Sequence, residues 1–262
     1  MVGAFHTDGV LTFGPDPELA DWAAHARVAG TAAAKAPELA RWLQCGGTWF
    51  VGVDALPNDD KGRVGGSGPL AGQAADAVER LYGPMPPLHR AQVSVTYPGY
   101  PRPRSGEGQA AFRYRLNRDA AHVDGVRAMN PQRRRRIDEP HAWLLGVALS
   151  ECSPDAAPLV VWKGSHTLMR AALRRAVAGH EPHNWHKVDV TETYQAARRA
   201  VFETCQRVEL PMQPGQAVLL HRLALHGVAP WASGATAAPE GRMIAYFRPH
   251  MAGGVPRWLG ET

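Results

Sequence analysis

From Arg90 to Tyr97, polar Gln92, Ser94 and Thr96 alternate with Ala91, Val93, Val95 and Tyr97, a period of two that predicts a strand with one polar face. Phe112, Tyr114 and Leu116 alternate with Arg113, Arg115 and Asn117 in the same way, predicting a strand that runs towards residue 122. Ala142 to Leu149 is apolar at both parities, so it should be a central strand covered on both faces. Shorter apolar runs predict strands at 158–162, 207–210, 217–221 and 242–248. Helical spacing dominates the front. Pro17 suits a first turn, and Leu19, Trp22, Ala23 and Ala26 share one face. A second helix starts at Pro37, buries Leu39, Trp42 and Leu43, and stops at Gly46-Gly47. Further helices are predicted over 70–82, over 166–178 with Ser165 as cap, and over 191–205. Residues 57–69 and 98–108 are rich in Pro, Gly and polar residues and read as loops.

Helices first and then about eight short strands is the order expected of a mainly β fold with flanking helices, a double-stranded β-helix of the jelly-roll, cupin-like class. The expected layout is a single domain over 1–262, with a helical front end at 1–86 packed on a barrel core at 87–250 that carries helical insertions.

Composition narrows the function classes. Hydrophobic content of 45% supplies an ordinary core. The net charge of +5 comes from arginine, lysine occurring only at Lys35, Lys61, Lys163 and Lys187, a bias expected of a GC-rich bacterial coding sequence. No helix-turn-helix, zinc finger or aromatic strand motif accompanies it, so a nucleic-acid partner is not expected. Neither a long apolar run nor a leader-like N-terminus is present, which predicts a cytoplasmic protein with no membrane partner. Cys45, Cys152 and Cys205 are odd in number and widely spaced, against a disulfide framework and against a zinc ribbon.

The candidate chemistry begins at His122-Val123-Asp124. On extended backbone, residues two apart project to the same side, so this imidazole and carboxylate could grip one metal ion. A further imidazole is offered by Leu219-Leu220-His221-Arg222-Leu223-Ala224-Leu225-His226-Gly227, with His226 favoured because Gly227 leaves room beside it, and His221 the rival. Two His and one carboxylate with open positions is the facial triad of non-haem Fe(II) oxygenases.

Pro158-Leu159-Val160-Val161-Trp162-Lys163-Gly164-Ser165-His166 lies between the pair and His226, and Arg242 opens the last long apolar run. In this order of pieces, over about residues 88 to 250, the chain resembles the phytanoyl-CoA dioxygenase-like family of Fe(II)/2-oxoglutarate-dependent oxygenases. Lys163 stands where that family usually has Pro, and Trp231 where an Asn is often found. The resemblance implies an enzyme that uses Fe(II), 2-oxoglutarate and O2 to hydroxylate an unactivated C–H of a small organic substrate. It implies that His122, Asp124 and His226 ligate the iron and that Arg242, with Arg248 as alternative, pairs with the far carboxylate of 2-oxoglutarate. Asp124 occupies the position where halogenating relatives have a small residue, which disfavours halogenation. A metal-dependent cupin-type enzyme without 2-oxoglutarate and a non-catalytic metabolite-binding barrel stay open beside this reading.

Gln92, Ser94, Tyr97, Tyr114, Trp162 and Trp231 are candidates for the pocket wall. Arg133-Arg134-Arg135-Arg136, read as a loop close to the site mouth, are candidates to receive an anionic group of the substrate. His166 is expected to be structural. His180, His183 and His186 fall in a segment that Pro182 should keep out of helix, and read as a loop.

Overall fold

The computed structural model describes residues 2–129 and 132–260. In chain order the elements are α1 (Val2–Asp8), β1 (Val10–Phe13), α2 (Pro17–Lys35), β2 (Leu43–Gln44), β3 (Trp49–Phe50), α3 (Gln73–Tyr82), β4 (Gln92–Thr96), α4 (Gln109–Asn117), β5 (Val126–Met129), β6 (Arg134–Ile137), β7 (Trp143–Ala148), β8 (Leu159–Trp162), α5 (Ser165–Val177), α6 (Thr191–Thr204), β9 (Arg207–Leu210), β10 (Ala217–His221), β11 (His226–Val228), β12 (Arg242–Phe247) and α7 (Gly254–Trp258). Single 3-10 segments occupy Pro37–Trp42 and Pro182–Lys187.

Two antiparallel sheets form the double-stranded β-helix. The larger runs β1-β10-β7-β12-β4-β3-β2 and the smaller β11-β8-β9, with β5 and β6 as a separate hairpin. Strand alternation builds the layers, because successive side chains point to opposite faces. Leu144, Ala148, Val218, Leu220, Ile244 and Tyr246 of the large sheet meet Leu159, Val161 and Leu210 of the small one in a shared core. The opposite parity of the large sheet, Trp143, Leu145, Val147, Met243, Ala245 and Phe247, packs on Trp22, Ala23 and Ala26 of α2 and Val78 of α3. The outer face of the small sheet, Val160 and Trp162, packs on Met169 and Leu173 of α5 and Tyr194 and Val201 of α6. A helix layer therefore covers each sheet, as the two-sided apolar run at 142–149 requires.

α2 begins where expected. Pro17 stands at its first turn and the Asp16 carboxylate accepts from the backbone N–H groups of Glu18 and Leu19, two of the donors a helix start leaves unpaired.

Several expectations need correction. The front end is not only helical, since β1 pairs with β10 and β3 with β4, so residues before 86 extend the large sheet. Residues 37–42 form a 3-10 turn instead of an α-helix. Residues 109–117 are helix α4 where the alternation predicted a strand, and Arg115 is their buried residue. Ser165 does not cap α5: Gly164, in the left-handed region at φ 75°, is the cap, and the Ser165 hydroxyl is buried and accepts from the Leu225 N–H. Arg134, Arg135 and Arg136 of the arginine run lie on strand β6, paired with β5, with Arg133 in the turn before it, and Pro182 begins a 3-10 turn.

Candidate metal centre and its cavity

His122 and His226 are joined by reciprocal main-chain hydrogen bonds, the His122 N–H donating to the His226 carbonyl at 2.8 Å and the His226 N–H to the His122 carbonyl at 3.0 Å. This isolated antiparallel bridge sets the two imidazoles 4.7 Å apart. Gly227 permits it, for a Cβ there would drive into the Asp119 carbonyl. Asp119 is itself fixed, its buried carboxylate accepting two hydrogen bonds from Arg207 at 2.8 and 2.9 Å. A further backbone anchor comes from the Tyr194 hydroxyl of α6, which accepts from the Val123 N–H.

The rings are held in one tautomer. Nδ1 of His122 lies 3.1 Å from the Ala120 carbonyl and Nδ1 of His226 lies 2.9 Å from the Ala224 carbonyl. A carbonyl can only accept, so each Nδ1 carries the proton and each Nε2 presents a lone pair. Those two Nε2 atoms face the same Asp124 oxygen, Oδ1, at 3.2 and 3.8 Å. The ligand atoms of the three residues all lie within 4.8 Å of one another. Three electron-pair donors crowded together repel unless a proton or a metal cation sits among them.

The charge states suit a metal. Burial works against ionisation of Asp124, but the adjacent His122, His226 and Arg248 outweigh it and hold the carboxyl well below the usual carboxylate range. Burial, with the neighbouring His122, pushes His226 down to about 4, so its imidazole is neutral at neutral pH. Metal ligands must be deprotonated, and these two are. The Arg248 guanidinium lies 3.7 Å from Asp124 Oδ2, the oxygen that faces away from the imidazoles, leaving Oδ1 for a cation.

A cavity of about 170 Å³ opens on the three side chains. Its wall includes Gln92, Ser94, Trp49, Leu144, Tyr246 and Arg248. Trp49, absent from the sequence candidates, donates from its indole to the Ser94 hydroxyl at 3.0 Å; the short strand β3 that delivers it has too few residues to show a period.

Arg242 is not in that wall. It is 3% exposed, it pairs in register with Thr96, and both terminal guanidinium nitrogens are without a hydrogen-bond partner among the described residues. The hydroxyls of Thr96, Tyr100 and Tyr246 are likewise buried and unpartnered. Burial raises the Tyr246 phenol, whose surroundings include the charges of both Arg242 and Asp124. A buried cation with only hydroxyls and no acid partner among the described residues is costly, and a carboxylate is the group that would satisfy it.

Other candidates fall elsewhere. Tyr97 packs against the helix-side core. Trp162 points outward onto Phe202, with ring centres 5.2 Å apart, because Val161 takes the inward parity. Trp231 donates to the Ala235 carbonyl and packs with Tyr100, outside the cavity wall. Tyr114 is on α4 and donates to the Ala121 carbonyl. His221 is remote from the triad, buried against His166 and Phe5, and burial pushes it to about 2. His166 meets the His6 carbonyl and is structural. Of the arginine run, Arg133 and Arg135 line a second hollow beside His122, whereas Arg134 pairs with Asp189. The three cysteines are free.

The three side chains could thus hold one metal ion in the facial-triad manner inside a double-stranded β-helix. The family model of phytanoyl-CoA dioxygenase (PhyH) matches residues 93–237, more than half of the chain and inclusive of all three convergent side chains. The chain belongs to the phytanoyl-CoA dioxygenase family. It is an Fe(II)/2-oxoglutarate-dependent oxygenase, with Fe(II), 2-oxoglutarate and O2 as cofactor and cosubstrates.

Among solved structures, the chain is similar to EctD from S. alaskensis with 2-oxoglutarate and 5-hydroxyectoine, at 17% identity over 94% of this chain and 74% of that one, TM-score 0.48. It is similar to AviO1 from Streptomyces viridochromogenes Tue57 at 14% identity over 97% and 95%, TM-score 0.46. It is also similar to the non-haem α-ketoglutarate-dependent carbocyclase SnoK from nogalamycin biosynthesis, at 15% identity and TM-score 0.28 over 49% of this chain; the match spans 42% of SnoK's length. No curated protein matches the chain. Among the described residues, no helix is long and apolar enough to cross a membrane.

Proposed function

We propose that the protein hydroxylates an unactivated C–H bond of a small organic substrate, with His122, Asp124 and His226 holding the Fe(II) and Arg242 holding 2-oxoglutarate. Bound iron with 2-oxoglutarate and O2 supplies the oxidising power, and the keto acid leaves as succinate and carbon dioxide. The chain's own residues supply the rest. Ala120 and Ala224 carbonyls keep both Nε2 atoms aimed at the metal position. Arg248 fixes the Asp124 carboxylate by its second oxygen. Leu144, Leu159 and Val228 give the cavity apolar flanks that limit water around the reacting carbon.

The observation that carries the reading is the buried Arg242 guanidinium, without an acid partner among the described residues and beside the Tyr246 phenol that also feels Asp124. It supports Arg242 over Arg248 as the carboxylate partner, because Arg248 already faces Asp124. A cupin-type enzyme without the keto acid, or a non-catalytic barrel, has no use for that cation. The test is anaerobic addition of Fe(II) and then 2-oxoglutarate to the metal-free protein. A weak visible charge-transfer band, followed by succinate formation on admitting O2, is expected. Iron binding with neither band nor succinate would overturn the reading.

A further inference from the structure

His122 is a wall of two hollows, the metal cavity and a second of about 570 Å³. Arg104, Arg115, Arg133, Arg135 and Arg198 line the second, against Glu107 as the one carboxylate in its wall. Arg115 takes that carboxylate. Arg133, Arg135 and Arg198 have no acid partner among the described residues.

What holds these cations is neutral. Arg198 donates to the Tyr114 hydroxyl at 2.7 Å and to the Ala121 carbonyl at 3.3 Å, with its guanidinium 4.9 Å from the Tyr194 ring centre. The Arg135 guanidinium lies 5.2 Å from the centre of the same Tyr194 ring and donates to the Val126 carbonyl at 3.4 Å. Such contacts orient guanidinium groups without cancelling their charge. Burial holds Arg135 below the usual arginine value, and the Arg198 and Arg133 charges add to that depression. Like charges gathered in a half-buried hollow destabilise the empty protein, and a multiply charged anion relieves all of them together.

We propose that this hollow binds a phosphoryl group at one end of the substrate, leaving the carbon to be oxidised beside His122 at the metal. The inference rests on the oxygenase reading above and names its substrate class. A phosphoryl group fits better than a single carboxylate, because one guanidinium fork satisfies a carboxylate whereas three converge here. Neighbours within the arginine run part company: Arg133, in the turn before β6 with φ 54°, and Arg135, on the strand, line the hollow, whereas Arg134 pairs with Asp189.

The experiment is calorimetric titration of the metal-free protein with pyrophosphate at low ionic strength, without iron or 2-oxoglutarate. Arg135→Gln and Arg133→Gln should each weaken binding about tenfold, the loss of one charge-assisted contact. Arg133 makes no internal hydrogen bond among the described residues, so its replacement leaves the fold intact. Arg134→Gln, outside the hollow, should bind as the unchanged protein does. Equal weakening by all three, or no binding by the unchanged protein, would overturn the proposal. The keto-acid band is read in parallel. Pyrophosphate binding without a band in the unchanged protein sinks the oxygenase reading and with it the substrate assignment; a band without pyrophosphate binding sinks the phosphoryl site alone.

Discussion

Replacing Arg242 with methionine should strengthen the empty protein and disable the loaded one. The side chain is 3% exposed and two of its nitrogens find no acceptor, so the folded state without ligand carries a desolvated charge. Methionine keeps comparable bulk without that charge, and an unpaired buried ion costs several kcal/mol, so the metal-free melting temperature should rise. With 2-oxoglutarate the sign reverses. Two charge-assisted hydrogen bonds at about 1.5–3 kcal/mol each give roughly 3–6 kcal/mol, at least a hundredfold in the dissociation constant. Arg242→Lys keeps the charge but loses the planar fork, and should fall between. The assay is an anaerobic 2-oxoglutarate titration of the Fe(II) protein followed by its visible band, beside a thermal melt of the metal-free form. A lower melting temperature with unchanged 2-oxoglutarate affinity would refute the argument, since it would make Arg242 an internal strut.

Gly227→Ala should cost about 1–3 kcal/mol of stability through overpacking against the Asp119 carbonyl and should weaken iron binding by prising apart the two histidines; equilibrium unfolding and iron stoichiometry check both. His226→Ala should abolish iron-dependent succinate formation, whereas His221→Ala should keep iron and lose about 2–4 kcal/mol, as metal analysis and denaturant melts would show. His221 also predicts a pH dependence. Its folded value of about 2 lies below the unfolded 6.5, so as the pH falls below 6.5 the unfolded chain gains a proton that the folded chain refuses. Stability should therefore drop from pH 7 to 5, by at most about 2 kcal/mol from this group, and His221→Phe should flatten the slope of urea midpoints against pH.

The strands that carry the core were legible because each is long enough to show its period and packs on both sides: β4, β7, β10 and β12 all lie where alternation or a two-sided apolar run put them. The convergence of His122, Asp124 and His226 was legible from residue type and from the glycine beside His226. α4 was not. Apolar residues at spacing two read as a strand; in α4 they scatter around the axis and only Arg115 is buried, so no helical core pattern was there to find. β1, β2 and β3 escaped notice because they are 4, 2 and 2 residues long and owe their existence to partners far along the chain. Trp162 shows a different limit. Period two says which residues share a face, but the side chains of β11 and α5 decide which face is inside. Three of the four consecutive arginines hid a strand, since charge reads as solvent-facing loop until Asp189 and the Tyr194 ring are seen beside them.

Because His122 and His226 hang from one pair of reciprocal main-chain hydrogen bonds, the spacing of their rings is a property of backbone geometry, with Gly227 the one cavity residue whose size it depends on. Trp49, Gln92, Leu144 and the hairpin arginines make none of those main-chain bonds. Coordination and substrate choice are in that sense written on separate parts of the chain, and a lineage built on this scaffold is free to change what it oxidises while keeping how it holds its ion.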